Sequence, residues 1–186
     1  YVLLGELRGD LMEATEDAKV DIQEISNFKV SSDNEYASFY DYYNIINNCN
    51  YAIAKMDTNI VFYEDKVMIP EYAQIKVIRA WTYWQLALAA GKVSWIEEPV
   101  LSLEAALKEY PQKGLEDLAQ LLIDDLTPYI GVRALDYGTI DNFDSRKMFL
   151  PVNMVLGDLY LFLGRYAEAA TAYYRLIDKR KLTLTS

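Results

Sequence analysis

Apolar residues recur along most of this chain at helical spacing. Over residues 1–25, Leu3, Leu7, Leu11, Ala14, Ala18, Ile22 and Ile25 predict a helix with one break near Gly9. Ser26-Asn27 and Ser31-Ser32-Asp33-Asn34 mark a turn-rich loop over 26–34. Phe39, Tyr42, Ile46, Cys49, Ile53 and Met56 then step by 3, 4, 3, 4, 3, which predicts an amphipathic helix over 35–57. Beside that stripe runs a second line of Tyr36, Tyr40, Tyr43, Asn47, Asn50 and Ala54. Residues 58–69 read as a connector. A helix over 70–90 opens on Pro70, whose missing N–H costs nothing in a first turn, and stops at Gly91. Its apolar face, with Val77, Ala80, Trp81, Trp84, Ala87 and Leu88, is broad enough to touch more than one neighbour. Residues 91–114 read as irregular, with a helical turn near 104–109. Leu115, Leu118, Ala119, Leu122 and Leu126 mark a helix that ends before Pro128. Another irregular stretch covers 129–145.

The last forty residues carry the most specific pattern. Leu156-Gly157, Tyr160, Gly164, Tyr166, Ala169 and Tyr173 fall on the small and aromatic positions of a tetratricopeptide unit, a helix–turn–helix. Small Gly157 and Ala169 let two antiparallel helices approach, Tyr160 and Tyr173 fill the gaps, and Gly164 ends the first helix. Only the leading Trp position departs, being Asn153. One such unit cannot bury its own apolar face, so the helices at 35–57, 70–90 and 115–127 are its expected neighbours. The fold class read from the sequence is all-α, built of tetratricopeptide-like helical hairpins with long irregular insertions. Residues 1–186 are read as a single domain.

Composition narrows the chemistry. Asp plus Glu total 28 against 18 Lys plus Arg, a net charge of −10. With its densest basic run at Lys179-Arg180-Lys181, the chain makes an unlikely phosphate-backbone binder, and nucleic acid is not an expected partner. The absence of His removes the commonest general acid/base and the usual zinc ligand. The single Cys, Cys49, lies on an apolar stripe and reads as a small core residue. Glu97-Glu98 and Asp124-Asp125 are adjacent carboxylate pairs, but adjacent helical residues do not face one another, so both read as solvated faces rather than catalytic acids. No glycine spacing cradles a phosphate. The expectation is a binding protein rather than an enzyme, with no metal and no cofactor. No apolar run reaches the roughly 18–20 residues of a membrane span. The chain begins at Tyr1 without Met and reads as a piece of a longer protein.

Five polar or aromatic positions invite a functional reading. Asn47 and Asn50 sit one turn apart and read mainly as ties to loop backbone, with ligand binding as the alternative. Arg79, on a largely apolar helix, reads as half of an internal ion pair, with Glu6 or Asp10 as possible partners. Trp95 and Tyr63 fall in connectors, where an exposed aromatic ring stacks on the flat apolar face of a sugar. They are the two candidate ligand-binding residues, and covering helix ends is their structural alternative.

An ordered set of segments also carries a family likeness. It comprises Gly5-Glu-Leu-Arg-Gly-Asp10, Tyr43-Asn-Ile-Ile-Asn-Asn-Cys-Asn50 and Glu71-Tyr-Ala-Gln-Ile-Lys-Val-Ile-Arg-Ala-Trp-Thr-Tyr83. Gly91-Lys-Val-Ser-Trp-Ile96, Leu156-Gly-Asp-Leu-Tyr160 and Tyr166-Ala-Glu-Ala-Ala170 follow. From about Gly5 to Ile177 the chain resembles the amino-terminal half of a SusD/RagB-type nutrient-binding protein. The resemblance implies a non-catalytic, lipid-anchored protein of the outer-membrane surface in Bacteroidetes-type bacteria. It implies capture of glycans, in some members peptides, for a SusC-like TonB-dependent transporter. It further implies that the helices pack against the transporter, while loops and a carboxy-terminal region form most of the ligand site. Two departures stand out. Ala90 and Ser94 replace the Tyr and Pro of a Tyr-Gly-x-Val-Pro segment, and Cys49 is too far along to be the lipid-bearing Cys. The alternative function is a tetratricopeptide adaptor that grips a peptide or protein partner. Such an adaptor calls for several consecutive units of about 34 residues, and the long insertions here speak against it.

Overall fold

A computed structural model describes Leu7, Gly9 and residues 12–180, with residues 179–180 described by backbone alone. Seven α-helices and three two-stranded ribbons occur among the described residues. Helix α1 spans Val20–Ser26, α2 Tyr40–Lys55, α3 Ile69–Ala90 and α4 Leu103–Ala106. Helix α5 spans Leu115–Leu126, α6 Val152–Phe162 and α7 Tyr166–Arg180. The fold is all-α, as expected.

Helix α3 is the axis of the molecule. It packs on α2 along one side and on α5 and α6 along the other, and α7 closes the layer against α6. The broad apolar face of α3 explains this position. Val77, Ala80, Tyr83, Leu86 and Ala87 are all buried, together with Ile46 of α2, Leu118 and Leu122 of α5, and Leu156 and Leu159 of α6. Pro70 sits in the first turn of α3, and Gly91 ends the helix at φ 76°, a left-handed conformation that glycine adopts without strain.

The α6–α7 hairpin follows the repeat pattern closely. Gly164, at φ 69°, donates to Leu161 O, and Arg165 N donates to Tyr160 O at 2.8 Å. These two bonds form the paired helix-ending arrangement that a left-handed glycine permits. Gly157 faces the ring of Tyr173 so closely that a Cβ there would lie 2.7 Å from two of its ring carbons. The Tyr173 hydroxyl in turn donates to Asp158 at 2.6 Å.

Three expectations need correction. Residues 12–19 are not helical, and the first described helix starts at Val20; the remainder of the predicted 1–25 helix lies largely outside the described residues. Gln23 explains the local arrangement, since its amide donates to Glu16 O and Ala18 O and so holds those carbonyls in a turn. The second helix begins at Tyr40 rather than Glu35, because Asn34 and its neighbours are tied instead to α1. Finally, the connectors are not wholly irregular. Val61–Phe62 (β1) pairs with Asp65–Lys66 (β2), Lys92–Ser94 (β3) with Gln112–Gly114 (β4), and Thr139–Ile140 (β5) with Phe143–Asp144 (β6). Strands this short give no period-2 signal to read.

The loop between α1 and α2 is held by a carboxylate. Glu24 accepts from the Asn34 amide at 2.9 Å, and from the backbone and hydroxyl of Ser31. These bonds, the Asn34 amide first, hold its pKa below the ordinary value. A depressed pKa gives stability that is present above the unfolded-state value and lost as pH falls through the folded one. Amide exchange in the 31–36 loop is therefore expected to accelerate as pH drops below the carboxylate range, after correction for intrinsic rates. Glu24→Gln should reduce that pH response, and Glu35, whose pKa is also held down, first by its hydrogen bond with Tyr36 and then by that with Lys19, carries the remainder. For the hairpin, Gly157→Ala is expected to cost roughly 1–3 kcal/mol by overpacking against Tyr173, read from urea unfolding.

Candidate functional site

The segment after β3 is built into the protein by side chains rather than by a sheet. Tyr43 Oη accepts from Ser94 N at 2.9 Å and donates to Ser94 O at 3.4 Å. Tyr83 Oη likewise accepts from Ile96 N at 2.9 Å and donates to Ile96 O at 3.0 Å. Asn50 donates to Ile96 O at 2.8 Å and to Glu98 O at 3.3 Å. Asn47 donates to Val100 O at 3.1 Å and accepts from Val100 N at 2.6 Å. Residues 94, 96, 98 and 100 thus present alternate backbone groups to α2 and α3, and side chains take the place of a neighbouring strand. Asn47 and Asn50 do what their sequence position predicts. Tyr83 is fully buried, and burial above all drives its pKa up, so the hydroxyl stays protonated and serves both backbone groups.

Beneath this ladder lies a buried cation. Arg79 is 3% exposed. It donates to Asn50 Oδ1 at 2.8 Å and to Asp125 Oδ2 at 2.8 Å, while Lys76 reaches Asp125 Oδ1 at 2.6 Å. The internal ion pair expected for Arg79 is present, and its partner is Asp125; Glu6 and Asp10 lie outside the described residues. The solvated reading of Asp124-Asp125 is corrected for Asp125, which α5 turns inward onto α3. Asp124 stays exposed and accepts from Gln120. Burial raises the Cys49 thiol pKa, which suits a core residue rather than a nucleophile.

Of the two readings of Trp95, the exposed ring is corrected and the covering role fits. Trp95 is 7% exposed. Its ring lies 4.7 Å from that of Tyr83, and the Arg79 guanidinium sits 5.8 Å from its centroid. Trp95 N donates to Pro111 O at 2.8 Å, extending the β3–β4 pairing and turning the indole inward. Neither face is open to a sugar ring. Tyr63 is the opposite case, 85% exposed at the tip of the β1–β2 ribbon with φ 47°. Phe62 meets it edge-to-face at 4.6 Å. The structure does not bring Trp95 and Tyr63 into one site.

Outside the ladder, a groove of about 800 Å³ opens between α2 and the 94–112 segment. Tyr40, Tyr43 and Tyr110 supply rings, and Asn44, Lys108, Glu109 and Gln112 supply polar groups. Tyr40 is 72% exposed. Gln112 donates to Ser94 Oγ, the Tyr110 hydroxyl donates to Ala105 O, and the Lys108 ammonium lies 5.7 Å from the Tyr110 centroid. This lining has the chemistry that holds a sugar: flat rings for its C–H faces, with amides and charges for its hydroxyls. Sequence reasoning noted the Tyr40–Asn47 line but did not join it to Tyr110, because nothing local connects residues seventy positions apart.

The fold and the ladder define an all-helical hairpin protein whose long loop is fixed in place and lines an aromatic groove. No family model matches the chain. A SusD-like protein of Formosa agariphila is 24% identical over 185 residues, covering 98% of this chain and 34% of that protein. A solved laminarin-binding SusD-like protein superposes with a TM-score of 0.63 at 24% identity, over 82% of this chain and 32% of the other. The chain therefore spans about a third of the length of these relatives. The resemblance to SusD-like proteins read from the sequence holds in both comparisons.

Asp125→Ala would strand Arg79 and Lys76 together. Removing one partner of a buried pair costs about 3–5 kcal/mol, and a loss of about 3 kcal/mol is expected in urea unfolding. Asp124→Ala, at an exposed position, should stay within about 0.5 kcal/mol of the parent.

Proposed function

We propose that this chain is the amino-terminal, helical part of a longer SusD-like protein that captures glycans at the outer-membrane surface without catalysis. The full-length protein is lipid-anchored and passes its oligosaccharide to a SusC-like TonB-dependent transporter. The observation that carries the reading is the preformed aromatic groove, borne on a fold and a sequence similar to SusD-like proteins. A glycan binder gains from such a groove, because little ordering of the site is left to pay for on binding. In this reading Tyr40 and Tyr110 stack on sugar faces, while Asn44 and Glu109 meet hydroxyls. Tyr63 is a second, separate contact on its ribbon. Trp95 is buried against Tyr83 and takes no part in binding. Among the described residues no helix is long and apolar enough to cross a membrane, and the reading asks none of them to.

Titration of the full-length protein with laminarin and a panel of other oligosaccharides tests the proposal. Binding of at least one glycan is expected, and Tyr40→Ala or Tyr110→Ala should each weaken it about tenfold, or about 1.4 kcal/mol. Tyr63→Ala should have a smaller effect. A panel with no ligand, or full affinity in both groove variants, would remove the groove from the reading. Co-purification without any TonB-dependent transporter, or a reading frame that lacks a signal peptide and lipid-modified Cys, would sink the surface-capture part.

A further inference from the structure

The side chains that hold the loop after β3 differ in what decides their direction. The Tyr43 and Tyr83 hydroxyls rotate to suit the loop, and each both accepts from and donates to one residue of it. Asn47 finds its donor and its acceptor at Val100, so the loop itself orients that amide. Asn50 is oriented from the other side. It is fully buried, its Nδ2 donates to Ile96 O and Glu98 O, and its Oδ1 accepts from Arg79 Nη1 at 2.8 Å. Turned over, the same amide would set its oxygen against two carbonyls and its NH2 against a guanidinium, with every one of those bonds lost.

The guanidinium that imposes this direction has little freedom of its own. Its second terminal nitrogen donates to Asp125 Oδ2 at 2.8 Å, and it lies 5.8 Å from the centroid of the buried Trp95 ring. Asp125 on α5 therefore places Arg79, Arg79 orients Asn50, and Asn50 places Ile96 and Glu98. Ser94, Ile96 and Val100 line the aromatic groove, whereas Arg79, Asn50 and Asp125 do not. One wall of the groove thus takes its position from groups that a bound ligand never touches.

We propose that Arg79 is a positioning residue for the groove, acting through the Asn50 amide to set where the 96–100 wall stands. The effect on the loop follows from these hydrogen bonds. The effect on binding rests on the glycan function proposed for the groove.

Asn50→Asp separates the two faces of the amide. A carboxylate keeps an acceptor toward Arg79 and loses the donor toward Ile96 and Glu98. Amide hydrogen exchange at neutral pH reads the result. The amides of Ile96 and Val100, bonded to Tyr83 and Asn47, are expected to exchange at least tenfold faster than in the parent, with Leu122 in the α5 core unchanged. Arg79→Lys keeps the charge but replaces a planar fork that spans Asn50 and Asp125 with a point donor, and the same loop-limited acceleration is expected. In the full-length protein both variants should bind laminarin at least tenfold more weakly. Parental exchange at Ile96 and Val100 overturns the proposal. So does equal acceleration at Leu122, which would mark a role in global stability alone, and so does a loosened loop with laminarin affinity intact. A parent that does not bind laminarin counts against the glycan function, and the exchange pattern then decides the positioning role by itself. Either variant decides it if the other fails to fold.

Discussion

The structure depends on one buried charge. Arg79 sits inside the helical layer, and a guanidinium there is tolerable only if its charge is paired; both terminal nitrogens find partners, while Nε has none. Asp125 meets it from α5 and Asn50 from α2, so a single side chain of α3 fixes the relation of three helices. Asn50 then spends its own donors on Ile96 and Glu98, which carries the constraint outward to the loop. The hydrophobic core supplies the bulk of the stabilisation, but apolar contacts alone are nondirectional. The ion pair and its amide set the register in which the helices meet.

The loop that follows β3 shows what this arrangement allows. It has backbone neighbours at β4 and Pro111 on one side, and hydroxyls and amides of α2 and α3 on the other. Backbone groups of Ser94, Ile96, Glu98 and Val100 find partners without a third strand, so a helical protein can hold an extended segment against its flank. The groove beside it owes its shape to that fixation, and Trp95 is pinned inward by the same pairing.

Much of this was legible in the sequence where the signal was long and local. Helix α3 carried its stop at Gly91, and the α6–α7 hairpin carried Gly157, Gly164 and Tyr173 at their repeat positions. The amides of Asn47 and Asn50 were legible because polar groups one turn apart beside a core stripe must find partners. The ribbons were not, since pairs two or three residues long leave no period. Which of the two readings of Trp95 holds was not legible for the same reason. Its local surroundings, Lys92 and the Glu97-Glu98 pair, look solvent-facing, and its burial is decided by Pro111, sixteen residues away. Asp125 looked like half of a solvated pair until α5 was seen to turn it onto Arg79.

The ladder also separates two kinds of position along the groove. Tyr43, Asn47 and Gln112 hold the loop, and changing them would disturb the frame. Tyr40 and Glu109 line the same space but carry no part of the ladder. If the groove takes a glycan as proposed, substitutions at the second kind alter what it recognises while leaving the folded state nearly untouched. A lineage can therefore retune such a surface from one ligand to another by single neutral steps, without first accumulating stability to spend.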